Sequence, residues 1–103
     1  MPTLDLEELR ALTMDDRGLM REILNALIED AVRHAGMLES AARDRDGARS
    51  VKIARLASRA CANVGANAAA DAFREIERRG ASRPLLAAAR SEIEHLRAEA
   101  GRI

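Results

Sequence analysis

The segment Ala54-Arg55-Leu56-Ala57-Ser58-Arg59-Ala60-Cys61-Ala62-Asn63-Val64-Gly65-Ala66 carries the clearest structural signal in this chain of 103 residues. Turned at about 100° per residue, it separates cations from apolar residues. The cations Lys52, Arg55 and Arg59 lie one turn apart on one side, and we call them the basic stripe. The opposite side holds Ile53, Leu56, Ala57, Ala60 and Val64. The pattern predicts a helix over residues 47–64 that Asp46 caps and Gly65 ends.

Two helices are predicted before this segment. A short amphipathic helix runs from Leu4 to Leu12. Thr13 followed by Asp16 resembles a capping box, so a long helix is expected from about residue 14 to residue 42. The apolar stripe of the long helix consists of Met20, Ile23, Leu24, Leu27, Ala31, Ala35 and Leu38, at steps of three and four residues.

Two helices are also predicted after Gly65. The first covers residues 66–79, and Gly80 closes it as the residue that follows the last turn. The second begins at Ser82 and Pro84, because proline costs no hydrogen bond in the first turn of a helix. The expected buried residues of these two helices are Ala69, Phe73 and Ile76, then Leu85, Ala89, Ile93 and Leu96.

These elements predict an all-α fold with one domain over residues 1–103. Short connections favour antiparallel neighbours, so we expect an antiparallel four-helix bundle with a short additional N-terminal helix. The sequence has one aromatic residue, Phe73, and many alanines, which suits closely spaced helices around a thin core. We expect a monomer rather than a dimer.

Composition weighs against several classes of function. The net charge is +0 and the chain has neither Trp nor Tyr, so nucleic acid is not an expected partner. Residues 1–5 show no leader pattern and no apolar run could span a bilayer, so we expect a cytoplasmic protein that does not bind membranes. The lone Cys61 is read as a small buried hydrophobe, and one cysteine with two well-separated histidines does not make a metal site. No cofactor and no enzymatic activity are expected.

The segment that ends in Ala62-Asn63-Val64-Gly65-Ala66 resembles the signature helix of histidine-containing phosphotransfer (HPt) domains. In that family the helix reads roughly Ala-His-x-Leu-Lys-Gly-x-x-x-Asn-hydrophobic-Gly-Ala, and its histidine carries a phosphoryl group between receiver domains. The resemblance implies a four-helix bundle with that histidine on an exposed face of one central helix. Weaker similarity, mostly generic helix patterning, covers nearly the whole chain.

The resemblance puts the family's histidine at Arg55, its lysine at Ser58 and its glycine at Arg59. Arginine stays protonated and offers no lone pair to a phosphoryl group. The resemblance therefore implies a pseudo-HPt protein of two-component phosphorelay signalling, which binds a receiver domain or a histidine kinase without accepting phosphate. The expected partner-binding residues are Lys52, Arg55, Ser58, Arg59 and Ala62, with no catalytic residue.

Three alternatives stay open. The protein could be a genuine phosphotransfer protein that uses His34 or His95, although His34 lies at the edge of an apolar stripe and suits a structural role. It could be a helical interaction module unrelated to signalling. The basic stripe could also be ordinary solvated surface, since exposed charges on a helix are common.

Overall fold

Five α-helices form the computed structural model, which describes residues 3–103. Their bounds are α1 Leu6–Thr13, α2 Arg17–Arg43, α3 Gly47–Asn63, α4 Asn67–Arg79 and α5 Arg83–Arg102. No strand occurs within these residues. The all-α prediction is therefore confirmed. Met1 and Pro2, which entered the expectation about a leader, lie outside the described residues.

Helices α2 to α5 pack in a cycle. Helix α2 contacts α3 and α5, and α4 contacts the same two helices from the other side, while α1 lies against α2. The molecule measures 43 × 21 × 19 Å. One cluster of buried side chains occupies the centre, and Phe73, which is fully buried, is its largest member. Many other members are alanines, so the helices approach one another closely.

Side-chain caps begin four of the five helices. Asp46 accepts a hydrogen bond from the Arg49 amide at 3.0 Å, which confirms it as the cap of α3. Ser82 caps α5 in the same way, although its bond from the Leu85 amide is long at 3.4 Å. Asp5 caps α1 and Asp16 caps α2. Each side-chain oxygen satisfies an amide that the helix itself leaves unpaired.

The capping box predicted at Thr13 is wrong. Thr13 is the buried last residue of α1, and its hydroxyl donates to the Leu9 carbonyl at 2.8 Å. Met14 and Asp15 then adopt positive φ angles of 52° and 62°, so the helix cannot begin at residue 14. Asp16 caps α2 instead, and α2 starts at Arg17.

The predicted stop at Gly65 is confirmed, and this glycine also receives the N-terminal segment. Gly65 has φ +81°, a backbone conformation that residues other than glycine rarely adopt. The Asp5 amide donates to the Gly65 carbonyl at 2.9 Å. A Cβ at residue 65 would lie only 3.1 Å from the Asp5 carbonyl oxygen. The small residue therefore allows α1 to dock on the α3–α4 turn.

Most predicted core positions are confirmed. All of the stripe of α2 is buried except Ile23, which is half-buried, and Ala69, Phe73 and Ile76 are buried on α4. On α5 the prediction of Leu85 is corrected to Leu86, because Leu85 is only partly buried. Leu86 lies at alternating steps of three and four from the other core residues of α5, which keeps the set on one side: Ala89, Ile93, Leu96 and Ala100.

Candidate protein-binding surface on helix α3

The buried face of α3 consists mainly of small side chains. They are Ser50, Ala54, Ala57, Ser58 and Cys61, joined by Ile53. Because α3 packs against both α2 and α4, small residues are needed where the neighbouring helices come close. Contact with two neighbouring helices therefore determines which residues of α3 are buried, and large apolar side chains are not what marks the buried face.

Two residues of α3 differ from their predicted exposure. Ser58 was expected at the partner-binding surface, but only 4% of it is exposed, and its hydroxyl donates to the Arg55 carbonyl at 3.0 Å. Leu56 was expected on the apolar side, yet it is 60% exposed. Ser58 therefore lies on the side of α3 that packs against its neighbours. Leu56 lies on the exposed side, with the cations.

The exposed side of α3 is an apolar residue flanked by charge. Lys52, Arg55, Leu56 and Arg59 are all exposed and follow one another at helical spacing, and we call these four residues the α3 surface. A single exposed leucine is unremarkable on a protein surface, but here it is one turn from a cation in each direction along the helix. Such a centre can bury apolar area while its rim forms ion pairs.

Arg55 is tied to the neighbouring helix. Its Nε donates to Oε2 of Glu77 on α4 at 2.8 Å. The Arg55 side chain is 48% exposed and that of Glu77 is 22% exposed, so the pair lies at the surface. Sequence reasoning did not identify Glu77, since the two residues are far apart in the chain. Among the hydrogen bonds of residues 3–103, Arg55 donates only through Nε, so its other N–H groups are free to donate.

Lys52 and Arg59 differ from Arg55, since neither forms an ion pair within residues 3–103. Ala62, the last predicted contact residue, is half-buried and packs against the core. Of the five predicted contact residues, the structure therefore brings three cations together at the surface. Leu56 is exposed beside these cations, whereas Ser58 is buried and does not belong to the surface.

The histidines and the cysteine occupy different environments. His34 is half-buried, and burial, with help from Arg33, holds its pKa below the usual value. His95 is exposed, and its Nδ1 lies 2.7 Å from Oε1 of Glu92. Cys61 is buried, which confirms the prediction, and burial raises the pKa of its thiol to about 12. Cys61 therefore stays a protonated, unreactive thiol near neutral pH.

Residues 3–103 contain no group of three or more His, Cys, Asp or Glu side chains able to hold a metal ion. Among these same residues, no helix has the length and apolar character needed to cross a bilayer.

Comparisons with family models, with curated proteins and with solved structures found no match for this chain.

Proposed function

We propose that this protein is a pseudo-HPt protein of phosphorelay signalling, which binds a receiver domain or a histidine kinase through the α3 surface and accepts no phosphate. The proposal rests on the resemblance of residues 54–66 to the HPt signature. One structural observation carries it further: Leu56 is 60% exposed on the same face of α3 as Lys52, Arg55 and Arg59. The resemblance assigns the reactive histidine of the family to this face.

We also propose that α2 to α5 form the antiparallel four-helix bundle of that family, with α1 as an addition. The cyclic packing of these four helices supports this arrangement. The ion pair between Glu39 and Arg90 supports it as well, because it joins the last part of α2 to the first half of α5. A bundle of this kind presents one face of a central helix to a partner.

The chemistry of the α3 surface suits docking. In receiver domains the phosphorylation pocket is lined with carboxylates, as the resemblance implies for the partner. Lys52 and Arg59 can pair with carboxylates around that pocket, and the free N–H groups of Arg55 add hydrogen bonds. Leu56 supplies apolar contact at the centre. The protein is proposed to act as a cytoplasmic monomer.

Phosphate transfer is absent from this proposal because of Arg55. Its guanidinium has no lone pair with which to attack phosphorus. Its Nε is also engaged by Glu77 at 2.8 Å. Arg59, at the position of the family's glycine, adds bulk where a receiver would have to close around the reactive group.

Calorimetric titration against receiver domains from the same organism tests the docking proposal. We expect micromolar binding that Arg59→Glu weakens at least about tenfold, since the substitution reverses a cation with no internal partner. Arg21→Glu is the matched control, because Arg21 is exposed on α2 and forms no ion pair within the described residues. Binding should also weaken as salt rises. Equal effects of the two substitutions would contradict the α3 surface.

Incubation with a phosphorylated receiver tests the absence of transfer. We expect no acid-labile phosphoryl group on the protein. The specific alternative is His95, which is exposed and whose Nδ1 lies 2.7 Å from the Glu92 carboxylate, an arrangement that can orient an imidazole. Labelling that His95→Gln removes would establish a working phosphotransfer protein and overturn the proposal. Absence of labelling, of receiver binding and of histidine-kinase binding would together point to an unrelated interaction module.

A further inference from the structure

A cleft separate from the α3 surface lies between the end of α2 and the beginning of α5. Its volume is about 580 Å³, and none of its lining residues belongs to α3 or α4. Small-molecule sites in proteins occupy about 300–1,000 Å³, so the cleft has a suitable size. The site proposed for partner docking does not use any of its residues.

The inner wall of the cleft is apolar. Leu86 is buried, with 8% of its surface exposed, and Ala42 and Ala81 are half-buried beside it. Ala87 adds an exposed methyl group on the same side of α5. The wall can therefore cover a hydrocarbon chain or a ring, but it offers no side-chain hydrogen-bonding group of its own.

Two arginines at the cleft have no internal partner. Arg43, in the last turn of α2, and Arg83, in the first turn of α5, are exposed and line the same cleft. Neither forms an ion pair within residues 3–103. A guanidinium of this kind can bind a carboxylate or a phosphate through two parallel hydrogen bonds.

The remaining charges of the cleft cancel one another. Arg90 binds Glu39 through Nε and Nη2, which neutralises the cleft's one carboxylate. The negative end of the α2 dipole and the positive end of the α5 dipole meet here and offset each other. The unpaired guanidinium groups of Arg43 and Arg83 therefore set the charge of the cleft, which is positive.

We infer that this cleft binds a small organic anion, whose carboxylate or phosphate monoester group contacts Arg43 and Arg83 and whose apolar body lies against Ala42, Leu86 and Ala87. Both parts are required. An inorganic anion leaves the apolar wall uncovered, and a neutral apolar molecule leaves the arginines without a partner. The two head groups share one recognition chemistry, and a direct comparison of probes separates them.

Amide chemical shifts of the full chain in two-dimensional NMR test the inference with four probes: hexyl phosphate, hexanoate, 1-hexanol and inorganic phosphate. We expect hexyl phosphate or hexanoate to cause saturable amide shifts at residues 42–43, 81–83 and 85–87, and the tighter of the two identifies the head group. We expect 1-hexanol and inorganic phosphate to bind at least about tenfold more weakly. Equal binding of either control probe, or shifts elsewhere in the chain, would overturn the inference.

Three variants locate the site. The pair Arg43→Glu and Arg83→Glu should weaken binding of the alkyl anion at least about tenfold. The matched pair Arg17→Glu and Arg21→Glu, at the other end of α2, should leave it unchanged. Ala87→Trp keeps every charge and fills the cleft, so it should abolish binding even if the double reversal unfolds the protein. Binding that survives Ala87→Trp would show that the cleft is not the site.

A fourth variant should bind the alkyl anion more tightly than the parent protein does. Glu39→Gln removes the carboxylate that occupies Arg90, so a third guanidinium becomes available to the ligand. We expect binding of the alkyl anion to become at least about threefold tighter. Unchanged or weaker binding would contradict the role given to the charge of the cleft.

Discussion

Nε of Arg55 donates a 2.8 Å hydrogen bond to Oε2 of Glu77, and this bond fixes a side chain of α3 to α4. The bond joins residues that are 22 positions apart in the chain. It lies where the HPt resemblance places a reactive histidine, so a position associated with chemistry here holds an ion pair. Because the pair is at the surface, its effect on folding stability should be small.

Removal of the Glu77 carboxylate should strengthen partner binding. Glu77→Gln keeps the size of the side chain but releases the Arg55 guanidinium for carboxylates on a receiver. We expect the dissociation constant to fall about threefold, while the free energy of unfolding changes by less than about 1 kcal/mol. Titration calorimetry measures the first quantity and urea unfolding measures the second.

Glu29→Gln provides the comparison for this variant, since Glu29 is exposed on α2 and forms no ion pair within the described residues. It should not alter the dissociation constant. Weaker receiver binding by Glu77→Gln alone would indicate that the Arg55–Glu77 pair itself is the docking element.

Leu56 should matter for binding and not for folding. Leu56→Ala removes a side chain that is 60% exposed, so the free energy of unfolding should change by less than about 0.5 kcal/mol. Loss of apolar contact at the centre of the α3 surface should weaken receiver binding at least about fivefold.

Ile53, three residues earlier, gives the contrasting case because it is buried, with 5% exposed. Ile53→Ala should lower the free energy of unfolding by about 2–4 kcal/mol through the cavity it leaves. A large loss of stability in Leu56→Ala would show that this leucine is buried in solution, and the α3 surface would then lack its apolar centre.

Substitution by alanine at two glycines should change the free energy of unfolding in opposite directions. Gly65 has φ +81°, and a methyl group there meets the Asp5 carbonyl, so Gly65→Ala should lower the free energy of unfolding by about 1–3 kcal/mol. Gly36 lies within α2 with nothing near its missing Cβ, so Gly36→Ala should raise it by about 0.5–1 kcal/mol. Urea unfolding of both variants checks the pair, and a stabilising Gly65→Ala would contradict the described turn.

The protein should lose stability in alkaline solution because of Cys61. The thiol ionises at about 9.0 when it is free but at about 12 in the folded protein. Between these pH values the unfolded chain releases a proton that the native state keeps, so the free energy of unfolding falls as pH rises. Below pH 9 this contribution is fully present.

Cys61→Ala should flatten the dependence on pH over the same interval, as measured by urea unfolding at several pH values. The chain is favourable for this test because it has no tyrosine and only one lysine. Identical slopes for Cys61→Ala and the parent protein would rule out the buried thiol as the cause.

Local features of the fold could be predicted from the sequence. Asp46, Ser82 and Gly65 act within a few residues of their own positions, through a cap or a turn, and all three predictions are confirmed. The steps of three and four along α2 likewise identified the buried side of that helix. The prediction that Thr13 caps α2 was wrong because Asp16 offers an equivalent oxygen nearby. Which of the two residues caps the helix depends on the burial of Thr13 against the rest of the fold.

Features that depend on distant residues could not be predicted. The wheel of α3 shows which residues share a side, but only its two neighbours determine that Ser58 faces inward and Leu56 outward. The bond from Arg55 to Glu77 requires the crossing of α3 with α4. The cleft proposed to bind an anion likewise combines α2 with α5, and no single stretch of sequence contains its charge pattern.

The small side chains beneath α3 have a thermodynamic consequence for any molecule that binds its outer side. Because alanine has no rotamer freedom to lose, and because the helix backbone is held close to two neighbours, the outer residues are presented on a preorganised support. The entropy lost on association then comes mainly from the side chains of Lys52, Leu56 and Arg59 and from the partner. Recognition here would select partners whose own surface is already complementary.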